Sequence, residues 1–414
     1  MNQERSDQHA GEARVGKAAW MALIAAGAGW MLDATDVMLY SFALGEIRAE
    51  FGIDNAQAGL IASATLVASA VGGAAAGVLC DRIGRVRVLM LSILFYSIFT
   101  ALSATSRSPG ELAFWRVLVG LGLGAEWSAG SVLVAETWPA RHRGKAIGLM
   151  QSGWALGCIV AALASAAILP TLGWRWLFAL GILPALLVVV IRMGVKEPVV
   201  WETSRREASR PPLLRTLATP PYARRVVVAT LTTSALLFAY WGLFTWVPQH
   251  LARSTGEGGA GLGLVKSTKW IVAMQVGAFL GYTSFGFFAD RFGRRPAFIA
   301  WVLGAAAVVP VYALYARNES VLLIAGPLVG FFGHGYFSVF GAILAELFPT
   351  SVRGAAQGLC YNAGRAVSAL APWAVGSVAD RHGLGVAIAL TSVLYLVGAA
   401  LVIFLPETRG KEIT

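Results

Sequence analysis

Five ionisable side chains stand inside stretches of sequence that are otherwise apolar enough to lie in hydrocarbon: Asp33, Asp36, Arg116, Glu126 and Arg365. A charge placed there is expensive unless it is paired or hydrated, so each is a candidate for passing an ion along or gripping one. Asp33 and Asp36 are three residues apart, which on a helix puts both carboxylates on one face about 5–6 Å apart. Two carboxylates that close in a poorly hydrated space resist ionising together, and a site that takes up and releases a proton needs that property. The alternative is that one acid satisfies a polar contact near a helix break.

Arg116 enters its apolar stretch early, at a depth that matches Asp36 on the first stretch, so an arginine counter-charge for Asp36 is one expectation. An arginine reaching back to the membrane interface is the other. Glu126 follows ten residues later, about 15 Å further along a helix. It serves as a second proton stop, a substrate contact or a locally paired acid. Arg365 has Tyr361 and Asn362 on the i−4 and i−3 rows. A guanidinium so placed grips a carboxylate in bidentate fashion with Tyr and Asn completing the hydrogen bonds, or it is tied to an acid on another helix.

Aromatic residues cluster at Tyr240, Trp241, Phe244, Thr245 and Trp246 before Pro248, and again at Phe331, Phe332, Tyr336 and Phe337 around His334. Such walls suit a flat or amphipathic ligand, although aromatics at helical spacing also serve plain packing. His334 is either a proton relay or a hydrogen-bonded packing residue.

The elements that position these groups are read from composition. At 57% hydrophobic and 13% charged over 414 residues, the chain has too little polar surface to coat a soluble globule. A spanning helix needs about 20 apolar residues, and twelve segments qualify: 17–44, 56–79, 86–105, 111–136, 144–169, 174–194, 224–248, 268–290, 296–316, 320–346, 354–378 and 384–405. Lys and Arg concentrate in the loops on the side that an even count assigns to both termini. That excess predicts a plasma (inner) membrane protein with both termini in the cytoplasm. The net charge of +11 is accounted for by those loops and implies no nucleic-acid partner. The first apolar segment is too long for a cleavable signal and is expected to be kept as a helix. Cys80, Cys158 and Cys360 are far apart, with neither disulfide nor metal-ligand spacing, so no metal site is expected. Residues 196–222, rich in Pro and Arg, form a cytoplasmic linker between a first bundle at 1–195 and a second at 223–414. No loop has room for a catalytic domain, and no nucleophile–base pair occurs; an enzyme is not expected.

The chain also repeats itself. Gly77-Val-Leu-Cys-Asp81-Arg82-Ile-Gly84-Arg85 returns as Gly286-Phe-Phe-Ala-Asp290-Arg291-Phe-Gly293-Arg294-Arg295, and Ala135-Glu136-Thr-Trp-Pro139-Ala-Arg141 as Ala345-Glu346-Leu-Phe-Pro349, with Arg353-Gly354 answering Arg143-Gly144. Two halves of one design follow. Ion pairs among Asp81, Arg82, Arg85, Glu136, Arg141, Asp290, Arg291, Arg294, Glu346 and Arg353 are expected to latch the halves on the side of these motifs and to part as the halves rock.

With twelve spans, a central linker and the doubled Gly-x-x-x-Asp-Arg-x-Gly-Arg loop, the chain resembles the major facilitator superfamily along essentially its whole length. That resemblance implies an all-α membrane fold of two six-helix bundles. Leu32-Asp33-Ala-Thr-Asp36, Gly122-Leu-Gly124-Ala-Glu126-Trp127, Gln151-Ser-Gly-Trp154 and Tyr361-Asn362-Ala-Gly364-Arg365 look like the metabolite:proton symporter branch, which includes aromatic-acid and sialic-acid carriers. Pro406-Glu407-Thr-Arg409-Gly410 is similar to the ending of sugar porters. Val86 departs from the usual basic residue of the first loop, and Ala34-Thr35 replaces the glycine and aromatic usual between the two acids of aromatic-acid carriers.

The expected activity is proton-coupled symport of a small organic acid anion by alternating access. Asp33, Asp36, Arg116 and Glu126 would handle protons. Arg365, Tyr361, Asn362, Tyr240, Trp241, Gln151, Trp154 and His334 would hold the substrate. Protons are the coupling ion, no cofactor is required, the surroundings are lipid, and the chain is expected to act as a monomer. A sugar or polyol porter is the alternative; a proton-driven efflux carrier, for which the fifth segment lacks the usual Gly-Pro pair, and a solute sensor that moves nothing are further ones.

Overall fold

In the computed structural model, the structure describes residues 15–197, 217, 219–220, 222–257, 259–348 and 353–408. The expected linker therefore lies largely outside the described residues. Those described are helical and contain no strand. In chain order the helices are α1 (Lys17–Phe51), α2 (Asn55–Ile83), α3 (Arg85–Ser103), α4 (Pro109–Thr137), α5 (Ala140–Ala179), α6 (Ala185–Gly194), α7 (Tyr222–Phe244), α8 (Val247–Ala252), α9 (Gly263–Phe292), α10 (Arg294–Tyr315), α11 (Glu319–Gly335), α12 (Phe337–Glu346), α13 (Arg353–Ser368), α14 (Ala371–His382), α15 (Leu384–Leu390) and α16 (Ser392–Val402).

Ten stretches among the described residues are long and apolar enough to cross a membrane. Twelve passes were expected, and the difference has two causes. Residues Gly144–Val188 run for 45 residues as one stretch, about twice what a crossing needs, and the backbone turns inside it at Gly173, where φ is 78°. The α13–α14 segment carries Arg353, Arg365 and Arg381 and is broken between Ser368 and Ala371, so it falls short by length and apolarity although it packs as a pass. A belt of outward apolar side chains, among them Phe287, Leu186 and Ile324, supplies a surface suited to lipid tails.

The duplication is visible in the backbone. Gly52, Gly84 and Gly173 have positive φ, and so do Gly261, Gly293 and Gly383. In both motif loops the second glycine sits near φ 110° and 103°, at the joint between two helices, a conformation closed to residues with a Cβ. Packing repeats as well: α2 lies on α4 and α1 on α5 in the first half, as α9 lies on α11 and α7 on α13 in the second. The closest crossings rest on glycine, because a Cβ on Gly124 would stand 1.8 Å from the Ser69 carbonyl and one on Gly330 1.8 Å from that of Met274.

Between the halves, α2 packs on α13 and α14, and α5 on α9. We call the end of the bundles that carries Gly84 and Gly293 the motif end, and the other, with Asn55 and His382, the far end. Four passes of the second half are discontinuous among the described residues: α7 gives way to α8 at Thr245–Trp246, α11 to α12 at Tyr336, α13 to α14 at Ala369–Leu370, and α15 to α16 at Thr391. Tyr240, His334 and Arg365 each lie within a turn or so of one of these breaks. Proline marks two of them, Pro248 and Pro372, each at the start of the continuing helix.

Candidate functional site

Asp36 and Arg116 meet. The guanidinium Nη1 is 3.2 Å from the carboxylate, and the two side chains are 2% and 3% exposed. Helix α1 supplies the acid and α4 the base, and Thr100 of α3 donates its hydroxyl to the other carboxylate oxygen. Two aromatic faces flank the guanidinium, Tyr40 at 5.5 Å and Phe178 at 5.7 Å. A charge pair so enclosed is worth little as net stabilisation, but removal of one partner strands the other in a low-dielectric medium.

Asp33, one turn toward the motif end, is 1% exposed. Neither of its oxygens finds a donor among the described residues. Its charged neighbours are Arg365 of α13, Asp36, and Glu126 of α4. Glu126 of α4 is equally buried, with Asp33 as its charged neighbour and the Tyr96 hydroxyl beside it. Its carboxylate presses on Gly29, where a Cβ would come within 2.3 Å of it. Apart from Arg85 at the motif end, these five residues are the only Asp, Glu, Lys or Arg side chains buried among the described residues. Three carboxylates thus share one interior with two guanidiniums.

Arg365 lies in the last turn of α13, where a cation also offsets the carbonyl end of the helix. Among the described residues no carboxylate lies within ion-pair distance of it. Tyr361, one turn earlier, stacks on Trp127 of the first half, with ring centroids 4.3 Å apart and planes at 13°. Asn362 is less free than expected: its amide nitrogen donates to the Gly358 carbonyl, and its oxygen lies where a Cβ on Gly73 would be 3.0 Å away.

Tyr240 and His334 engage each other, with 3.2 Å between the hydroxyl and Nε2. His334 Nδ1 is 3.2 Å from the Gly330 carbonyl; that acceptor requires Nδ1–H, which leaves Nε2 to accept from Tyr240. A chain of aromatic contacts crosses the halves from Trp30 through Trp154 to Trp241. Gln151 sits on the same helix as Trp154, 8% exposed, and its amide oxygen has no donor among the described residues.

At the motif end, Arg85 clasps Glu136 through two nitrogens at 3.1 and 3.0 Å. Arg294 answers with Asp290 at 2.9 Å and Glu346 at 3.6 Å. Arg82 and Arg291 are exposed. All these pairs stay within one half. Gly77 lies within α2, and the side chains of Asp81, Arg141 and Arg353 lie outside what the structure describes, as does Pro349 as a whole. Gly286 is described and packs loosely, with Val339 3.9 Å from a Cβ built on it.

Several participants were not singled out from the sequence. Thr100 gave no signal, being one hydroxyl on an apolar helix. Glu197 and Glu407 did: they are 210 residues apart, the spacing of the motifs. Glu197 accepts from the backbone N–H groups of Arg85, Val86 and Arg87 at the start of α3. Glu407 accepts from those of Arg294 and Arg295 at the start of α10. Each carboxylate offsets the positive end of the helix that the motif opens.

Comparison with known proteins agrees with this architecture. Residues 20–284 match the Major Facilitator Superfamily, and residues 202–414 match the family described as Sugar (and other) transporter. The chain is 35% identical to the probable 4-methylmuconolactone transporter of Cupriavidus pinatubonensis, over 93% of this chain and 90% of that one. It is 32% identical to the cis,cis-muconate transport protein of Acinetobacter baylyi, over 96% and 97%. A solved D-xylose–proton symporter shares the fold, with a TM-score of 0.77 at 20% identity, over 95% of this chain and 99% of that one. These relatives are named as transporters, not enzymes, and the chain belongs to the major facilitator superfamily, as a multi-pass membrane transporter built from two related helical halves.

Proposed function

We infer that the chain imports a small organic acid anion together with protons, in the plasma (inner) membrane, with both termini and the motif end in the cytoplasm. The observation that carries this reading is the buried group of three carboxylates and two guanidiniums at the junction of the halves. Five charges withdrawn from water are stable only while they balance, and they balance when one proton is present. An arriving carboxylate that takes Arg365 in bidentate fashion deprives Asp33 of its counter-charge, and a further proton restores neutrality. Proton and anion therefore bind better together than either does alone, which is the thermodynamic content of symport. Asp36, held by Arg116 and Thr100, is the second proton station: a proton on it loosens the grip of α4 on α1. The names of the two relatives, one given for 4-methylmuconolactone and one for cis,cis-muconate, support a carboxylate as cargo.

Reconstituted in liposomes, the carrier should accumulate labelled cis,cis-muconate when the outside is acidified and lose that accumulation to a protonophore. Unlabelled monocarboxylates and dicarboxylates should compete. The second reading, a sugar or polyol porter, draws on the match of the second half to the sugar transporter family and on the Glu407 cap in the Pro406-Glu407-Thr408 ending. Competition by xylose or sorbitol with none by any acid would replace the first reading with the second.

A further inference from the structure

At the far end the contacts between the halves are polar, specific and concentrated on the first turn of α2. Asp54, the residue before α2, accepts from the Gln57 N–H at 2.7 Å, and the Gln57 side chain returns the bond to the Asp54 N–H at 3.1 Å. The two N–H groups between them, on Asn55 and Ala56, are not served by their own half. Both go to the carboxylate of Asp380, on α14 of the second half, at 3.3 and 3.0 Å. The same carboxylate takes the Asn55 side-chain amide at 2.5 Å. Arg253, also of the second half, donates to the Asn55 oxygen at 2.8 Å. Asn55 is thereby buried, 4% exposed, under a cover made by the opposite half.

The neighbouring contacts run the same way. Gln249 of α8 donates to the Ser41 and Phe42 carbonyls of α1, each at 3.2 Å. The Trp373 N–H donates to the Ser63 hydroxyl at 3.2 Å. Backbones touch where glycine allows it, since a Cβ on Gly59 would stand 2.4 Å from the Pro372 carbonyl. By contrast, the motif-end ion pairs among the described residues close within each half. Toward the motif end of Arg365, the stack of Trp127 on Tyr361 is the described aromatic contact that joins α4 to α13.

We propose that Asp380 is the latch of the far-end gate: a carboxylate of one half that caps the helix of the other, with Arg253 as its strap across Asn55. A charged acceptor on a helix N-terminus combines charge-assisted hydrogen bonds with the helix dipole. Those donors are left to water whenever the far end opens, so the cap biases the carrier toward the state sealed at that end. The latch is independent of what is transported, and neither the motifs nor the buried charges predict it. Its residues are not among those assigned to substrate or proton binding.

The test uses the full-length protein in detergent with Cys80, Cys158 and Cys360 replaced by serine. A reporter thiol is placed by Ser41→Cys, buried in the seam beside Gln249. Asp380→Ala should raise the rate of maleimide labelling at least about tenfold, the factor that corresponds to one charge-assisted bond lost from the closed state. Asn55→Asp, which sets two carboxylates face to face, should raise it further. Combining Asn55→Asp with Asp380→Asn should return it toward the parent rate, because Arg253 and one carboxylate again share the site. Unchanged labelling in Asp380→Ala and Asn55→Asp, with elution volume and helicity unaltered, would overturn the latch; so would faster labelling that the double variant fails to reverse.

Discussion

The Arg116 guanidinium stands 3.2 Å from the Asp36 carboxylate, with 2% and 3% of the two side chains exposed. Eighty residues separate them in sequence, and they join α1 to α4 where a third helix, α3, contributes only the Thr100 hydroxyl. In that setting the pair, ionised, binds the two helices, and neutralised on one side it leaves a charge with no partner, which is the property the proposed coupling role requires. The consequences for transport, stability and voltage response can each be measured.

Asp36→Asn should abolish uphill accumulation in liposomes while exchange of labelled for unlabelled substrate persists. Because Arg116 is left buried and uncompensated, this variant should also lose about 3–5 kcal/mol of stability, read as an earlier thermal unfolding. The double variant Asp36→Leu with Arg116→Leu should regain most of that stability and none of the coupling. Full accumulation by Asp36→Asn would remove the residue from the coupling path.

Arg365→Lys keeps the charge but not the planar fork, so the KM for a carboxylate substrate should rise about tenfold or more with a smaller change in the maximal rate. Arg365→Ala should lose uptake of acids altogether. Initial-rate kinetics on both variants check this, and equal KM values for parent and Arg365→Lys would mean that the guanidinium grips no carboxylate.

The stack of Trp127 on Tyr361 couples the halves, and such pairs contribute about 0.5–1.5 kcal/mol beyond the area they bury. Trp127→Leu and Tyr361→Leu should therefore each speed labelling of a motif-end thiol, and the double variant should add little to either. Strictly additive effects would show that the two rings do not act as one contact.

Three buried acids against two arginines predict one proton for each negative charge carried. Uptake of a monocarboxylate should then be electroneutral: an imposed potassium–valinomycin potential should leave its rate unchanged while a pH gradient drives it. Strong stimulation by an interior-negative potential would show that extra protons enter.

Gly84→Ala should destabilise the first half by about 1–3 kcal/mol, because φ at this joint is 110° and the new methyl would meet the Glu197 carboxylate at 2.2 Å. Gly293→Ala should do the same in the second half, against Glu407. Glu197→Ala, which strips the cap from α3, should cost about 1 kcal/mol by itself. Thermal unfolding of the three variants side by side measures the order.

The amino-acid sequence by itself determined the class of the molecule and the inventory of its interior chemistry. Apolar runs of membrane length, a doubled loop with its glycines and acids in register, and five charges inside those runs are local properties, so they are legible residue by residue. All five are buried, because a charge set in an apolar helix has nowhere to go but inward. The tertiary structure decided the partnerships. That Arg116 reaches Asp36 and not the interface, that Asp33 is buried with no donor on either oxygen among the described residues, and that Asn362 spends its amide on its own helix all depend on how α1, α4 and α13 are rotated about their axes. Periodicity leaves that rotation open in helices apolar on every side. The far-end latch was still less legible: Asp380 and Asn55 are ordinary polar residues at helix ends, 325 residues apart in the chain, and only the approach of the two halves turns one into the cap of the other.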